Sequence, residues 1–154
     1  MTSKENLPTK EKVLVYVLRR IGPNVQVLVF DHVDYPEVEP QIPGGGVKNG
    51  EEIMQAAVRE LEEESGVTHA KMIRFLGKLI YDNPHNGKLA RRHFFLLQAP
   101  DNLPEQWDHI VASTDDDNGL VFRFYWQELT QTRIGYEQDK GLDFMREEDL
   151  SKIK

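Results

Sequence analysis

The stretch PGGGVKNGEEIMQAAVRELEEESGV, residues 43–67, runs three consecutive glycines into a segment that holds six glutamates and one arginine between residues 51 and 64. Its interior lacks glycine and proline and carries Ala56, Ala57 and Leu61, all good helix formers, so residues 51–65 are predicted as a helix. Gly66 supplies the stop. At about 100° per residue, Glu60, Glu63 and Glu64 share one arc roughly 100° wide. Glu62 points away from it, Arg59 is set to pair with Glu63 one turn on, and Met54, Val58 and Leu61 form the expected core-facing stripe.

A run of acids is ordinarily a solvated helix face. Here the trio borders the apolar stripe, sits at the wrong end of the helix dipole and repels itself at i,i+4 spacing. One arginine does not offset that charge, whereas a divalent cation does. Oxygen-only donors select Mg²⁺, Mn²⁺ or Ca²⁺ over zinc or copper, and the alternating Asp/Asn pattern of an EF-hand loop is missing. Gly44, Gly45 and Gly46 then gain a purpose, because a chain without side chains can approach a metal or a phosphate closely or adopt positive φ.

The remaining sequence bounds the problem. The chain has 154 residues, a formal net charge of -7 and no cysteine. That suits one domain over residues 1–154, with residues 1–10 as a candidate flexible tail. It excludes disulfides, zinc-thiolate sites and cysteine nucleophiles, and it argues against a sequence-independent binder of nucleic-acid polymers. The polar start lacks the apolar centre of a signal peptide, and no apolar run approaches the roughly 20 residues of a membrane span. The cytoplasm is the default compartment, with no membrane partner.

Segments 12–20 and 24–32 read as a hairpin, 70–82 and 88–100 as two further strands, and 120–126 as a last strand. Residues 101–119 read as a long loop and residues 138–154 as a closing helix. Strands on both sides of one strong helix, with another helix at the end, predict an α+β or α/β class with a mixed sheet. Arg91 and Arg92 are adjacent in a predicted strand and must face opposite sides. Trp107 has two roles open to it, stacking on a substrate base or packing the loop onto the core. The five histidines show no metal-binding spacing.

At Gly45, Glu51, Arg59, Glu60, Leu61, Glu63, Glu64, Gly66 and Val67 the sequence resembles the Nudix hydrolase family, filling every fixed position of its signature. The resemblance implies a Nudix-like fold of the α+β class, an α/β/α sandwich with a mixed β-sheet between helices. It also implies Mg²⁺- or Mn²⁺-dependent hydrolysis of the phosphoric anhydride in a small molecule, a nucleoside diphosphate linked to another moiety X. It assigns Glu60, Glu63 and Glu64 to metal binding or water activation and Arg59 to orienting them, with Glu51 as its structural partner. Gly44 is implied to offer its carbonyl to the metal, beside Gly45 and Gly46 at the substrate. A further acid from a distant loop is common in the family. The candidates are Asp115, Asp116 and Asp117, of which Asp117 is chosen, with Glu105 and His109 behind them. Homodimers are frequent in the family, so a homodimer is a candidate assembly. The rival class is a binding or regulatory module that kept the fold and lost turnover; none of the acids is eroded here, which favours the enzyme.

Overall fold

The computed structural model describes residues 9–154. Seven strands form one sheet: β1 (Thr9–Ile21), β2 (Asn24–His32), β3 (Gly44–Gly46), β4 (Lys71–Asp82), β5 (Leu89–Gln98), β6 (Gln106–Ile110) and β7 (Val121–Glu128). They run in the order β4-β5-β1-β2-β7-β6, with β3 also paired to β1. The β1–β5 pair is parallel and the other pairs are antiparallel. The mixed sheet and α+β class expected from the sequence are therefore observed. Thr9 and Lys10 already belong to β1, so the proposed tail does not extend to residue 10; residues 1–8 lie outside the described residues.

Strand alternation sorts the core into two halves. Val13, Val15 and Val17 of β1 join Phe95, Leu97, Phe30 and Phe124 on the face covered by helix α1 (Ile53–Ser65). Leu14, Tyr16 and Leu18 join Val27, Val29, Phe94 and Leu96 on the other face, closed by the C-terminal segment through Ile153. Each large apolar side chain so buried contributes about 1.5–3 kcal/mol. The closing segment is not the single helix expected. It comprises a 3-10 turn (Lys140–Phe144) and a short helix α2 (Glu147–Ser151). Between them Met145 and Arg146 are extended, and Asp149 is drawn to Arg74 by paired hydrogen bonds of 2.7 and 2.8 Å.

The flank of β1 facing β2 is shared. Residues 18–21 pair with β2, whereas Lys12, Val13 and Leu14 pair with the glycines of β3. The junction is sealed by the Val15 N–H donating to the Pro43 carbonyl at 2.9 Å and by the Phe30–Gln41 bridge. The glycine triplet is thus a strand in register with the core. Its place in the sheet holds it against α1.

Two further expectations are corrected. The region read as a long loop contains β6, an edge strand paired to β7. Its five residues put Trp107 and His109 toward α1 and leave Gln106, Asp108 and Ile110 exposed, a pattern too short and polar to stand out. Helix α1 begins at Ile53, two residues later than predicted, and ends at Ser65, capped by Gly66, whose φ of 77° is the left-handed conformation a glycine adopts without strain.

Candidate active site

Helix α1 buries Ala56, Ala57, Glu60, Leu61 and Glu64, while Met54 and Val58 stay 48% and 49% exposed. The expected apolar stripe is therefore wrong for Met54 and Val58. The small Ala56 and Ala57 let the helix lie close on the sheet, and this turns the glutamate face inward. Glu62 is exposed, as expected.

The fit between helix and glycine strand leaves no spare space. A side chain at position 45 would place its Cβ 2.2 Å from the Glu60 carboxylate, and one at position 44 would lie 2.3 Å from the Val13 carbonyl. Close approach, and not positive φ, is why glycine occupies these positions; none of the triplet has a positive φ. The Gly44 N–H donates to Glu64 Oε1 at 2.8 Å.

Arg59 organises the acids. Its Nε and Nη2 bind the two oxygens of Glu51 at 2.8 and 2.9 Å. Nη1 binds Glu60 at 2.8 Å and Glu63 at 3.0 Å, and Nη2 also reaches the Gly46 carbonyl at 2.8 Å. All five guanidinium donors are used, the most the group can make. The Glu63 pairing read from the helix spacing is present.

Glu60, Glu63 and Asp115 each bring a carboxylate oxygen within 4.8 Å of one another. Asp117 accepts a hydrogen bond from Ser113 Oγ at 3.0 Å and faces Glu64. Both loop aspartates approach the helix, but Asp115 joins the three-oxygen group. Trp107 donates from Nε1 to the Ser65 carbonyl at 2.9 Å and stacks on Phe124, so its ring packs the β6 strand onto the end of α1. His109 contacts the Glu63 carbonyl at 3.1 Å. Glu105 pairs with Arg19.

The electrostatics favour a cation. Burial raises the Glu60 carboxyl to about 7 in spite of Arg59, and Glu63 and Asp115 add to the rise. Burial, then Asp117 and Glu60, lift Glu64 well above the usual carboxylate range against the pull of the Gly44 N–H. By contrast, the hydrogen bonds from Arg59 hold Glu51 down to about 2. Among the described residues Glu64 has no cationic partner. Three converging oxygens beside a buried, uncompensated carboxyl are the donor set a hard divalent cation needs.

This has a pH signature. In cation-free protein Glu60 keeps a proton that the unfolded chain releases near 4.5. Its stabilisation is complete below that value and is lost as pH rises through about 7. Glu51 acts only below this window, losing its stabilisation as pH falls toward 2. His32, lowered by burial, works in the opposite sense near neutrality. The rise in melting temperature on adding Mg²⁺, measured against EDTA, should therefore be clearly larger at about pH 8 than at about pH 5. An equal rise at both would show that Glu60 does not titrate at the cation site.

A cavity of about 440 Å³ opens beside the glycine strand, its wall including Gly44, Gly45, Glu64, Lys12 and Arg92. A second, of about 450 Å³, shares Tyr81 and Arg92 with it but touches none of the helix acids. Of the adjacent arginines, Arg91 pairs with Glu11 at 2.7 Å, and Arg92 turns to the opposite face into the cavities.

A carboxylate-bearing helix clamped to a glycine strand on a mixed sheet gathers acids that could hold a metal ion. Residues 9–146 match the NUDIX domain family, and the chain belongs to it. An RNA pyrophosphohydrolase of Pelagibacter ubique is 36% identical over 85 residues, 54% of this chain and 52% of its own length. The chain thus spans about half of that relative. An oxidized purine nucleoside triphosphate hydrolase of Danio rerio is 28% identical over 120 residues, 72% of this chain and 76% of that protein. Among solved structures, the NUDIX domain of Shewanella oneidensis NrtR, complexed with ADP ribose, superposes with a TM-score of 0.68. It covers 96% of this chain and 93% of that one at 14% identity, a likeness of fold alone. No helix among the described residues is long and apolar enough to cross a membrane.

Proposed function

We propose that this chain is a divalent-cation-dependent pyrophosphohydrolase acting on a nucleoside diphosphate linked to a further group X. The observation that carries the reading is the convergence of Glu60, Glu63 and Asp115 oxygens beside buried Glu64, against a glycine strand. The names of the Pelagibacter ubique and Danio rerio relatives point the same way.

In this reading Glu63 and Glu64 would hold Mg²⁺ or Mn²⁺, with Glu60 as a further ligand or as the base, helped by Asp115 or Asp117 and by the Gly44 carbonyl. A bound cation of this kind neutralises phosphate charge and acidifies water. Arg59 fixes the carboxylates of Glu60 and Glu63, so positioning precedes substrate arrival. Water attacks one phosphorus of the anhydride, the bridging P–O bond breaks, and a carboxylate, Glu60 being the candidate, accepts the proton. The products are a nucleoside monophosphate and phosphorylated X whichever phosphorus is attacked, the choice deciding only which product carries the water oxygen. The glycine strand lets the phosphate chain lie close to the backbone.

The test is a panel of ordinary and oxidised nucleoside triphosphates, nucleotide sugars, dinucleoside polyphosphates and a 5′-triphosphorylated oligonucleotide. Each is incubated with Mg²⁺ or Mn²⁺ while released phosphate, pyrophosphate or monophosphate is measured. Cation-dependent turnover of at least one compound is expected. Binding of cation and nucleotide with no turnover of any compound would favour the binding-module reading instead.

A further inference from the structure

Two neighbouring rungs of the β1–β5 ladder carry contrasting charges. On the α1 face Glu11 stands opposite Arg91, and the two form an ion pair at 2.7 Å. One residue on, facing the cavity, Lys12 stands opposite Arg92. Like charges directly opposite in a sheet are destabilising. Among the described residues neither Lys12 nor Arg92 has a salt bridge.

Arg92 sharpens the anomaly. Its residue exposure is only 9%. The guanidinium lies 3.6 Å over the Tyr81 ring and donates to the Tyr136 carbonyl at 2.6 Å, leaving donors free for the cavity. The Glu137 carboxylate acts on it from the adjoining cavity, beyond ion-pair distance. A buried cation without an ion pair is costly, and its natural complement on the glycine-strand side is an anionic ligand. Lys10 and Lys88 line the same cavity, so four cations face two acids, Glu64 and Asp116, in a chain of net charge -7. The Lys12 ammonium lies 3.8 Å from the place a Cβ on Gly46 would take, beside the glycine strand. The cationic wall is therefore continuous with the candidate cation site.

We infer that this cavity holds phosphates beyond the scissile anhydride, so that the substrate carries a chain of three or more phosphates and X is not a neutral sugar. The inference rests on the hydrolase reading for which bond is cut, but the anion site itself stands on Lys12 and Arg92. Divalent cations at the helix acids offset the anhydride; Lys10, Lys12, Lys88 and Arg92 offset the phosphates that extend past it. Such chains occur in nucleoside triphosphates, dinucleoside polyphosphates and 5′-triphosphate ends.

Two measurements test this. First, inorganic tripolyphosphate is titrated into protein in EDTA and followed by calorimetry. Binding is expected, and the Lys10→Ala/Lys12→Ala double variant should bind at least about tenfold more weakly, the loss of one charge-assisted contact. Lys10 is exposed and Lys12 partly so, so the variant should fold. No binding, or equal binding by the variant, overturns the inference. Second, kcat/KM is compared among a nucleoside triphosphate, a dinucleoside tetraphosphate, a 5′-triphosphorylated oligonucleotide and a nucleotide sugar. At least one polyphosphate should exceed the sugar by tenfold or more, its identity giving the source of the chain, and that ratio should shrink in the double variant. A nucleotide sugar cleaved as well as every polyphosphate overturns the inference and leaves the hydrolase intact. Binding of tripolyphosphate that depends on Lys10 and Lys12, without turnover of any compound, overturns the hydrolase and leaves the anion site standing.

Discussion

Glu64→Gln is expected to lower cation-dependent turnover about 10²- to 10³-fold while leaving the cation-free protein at least as stable as the parent. The loss corresponds to several kcal/mol of transition-state charge stabilisation that a carboxylate-held cation supplies. The stability follows from local chemistry. Glu64 is buried and strongly disposed to stay protonated, so a glutamine nearly reproduces the form it takes without metal. The amide oxygen can accept from the Gly44 N–H, and the amide nitrogen can donate to Asp117. Steady-state rates at several Mg²⁺ concentrations, beside urea unfolding in EDTA, check both halves. Unchanged turnover would remove Glu64 from the metal site, and a large drop in cation-free stability would give it a merely structural role.

Arg59→Ala should be the more destructive change. It leaves Glu51, Glu60, Glu63 and the Gly46 carbonyl without their shared partner. Removing one member of a largely buried charge network costs about 3–5 kcal/mol, because the remaining charges stay desolvated. Arg59→Lys should recover little, since three rotatable donors cannot replace a planar fork spanning four acceptors. Mg²⁺ should restore part of the stability by supplying positive charge to Glu60 and Glu63. Chemical denaturation of the two variants with and without Mg²⁺ reads this directly. Stabilities within about 1 kcal/mol of the parent would mean that the network is solvated and of the low value typical of surface pairs.

The placement of the α1 acids was legible because it is local. Glu60, Glu63 and Glu64 lie within five consecutive positions, and helical spacing alone put them on one arc. Which side of that arc met the core was not legible. Reading hydrophobic size favours Met54 and Val58, yet the packing distance is set by Ala56 and Ala57, and the larger apolar side chains are left at the surface. Asp117 is chosen from Asp115, Asp116 and Asp117 with little in the sequence to separate them. Three identical residues in a turn are separated only by the turn's own hydrogen bonds, such as those the Ser113 hydroxyl donates to Asp117 and the Ser113 N–H donates to Asn118 Oδ1.

Non-local features were beyond reach altogether. Lys12 and Arg92 are eighty positions apart in the chain, and only the register of the parallel β1–β5 pair sets them side by side. The alternation that placed Arg91 and Arg92 on opposite faces was readable; the partner of each was not. β6 escaped notice because a five-residue edge strand paired on one flank carries little apolar signal. The C-terminal helix was overestimated because helical propensity is a weak prior where tertiary contacts, here Arg74 on Asp149, decide the chain path.

The shared flank of β1 has an evolutionary corollary. Because the chain departs from β2 and returns at β3 to the same strand, residues 33–43 form an excursion whose ends are fastened to one backbone. Lengthening or shortening that excursion, or the turn between β4 and β5, would reshape the rim of the cavity and hence what is admitted. The acids and glycines, moored to β1 and α1, would keep their spacing. Under the proposed function, selectivity and bond cleavage would rest on separable parts of the chain, the first open to change without disturbing the second.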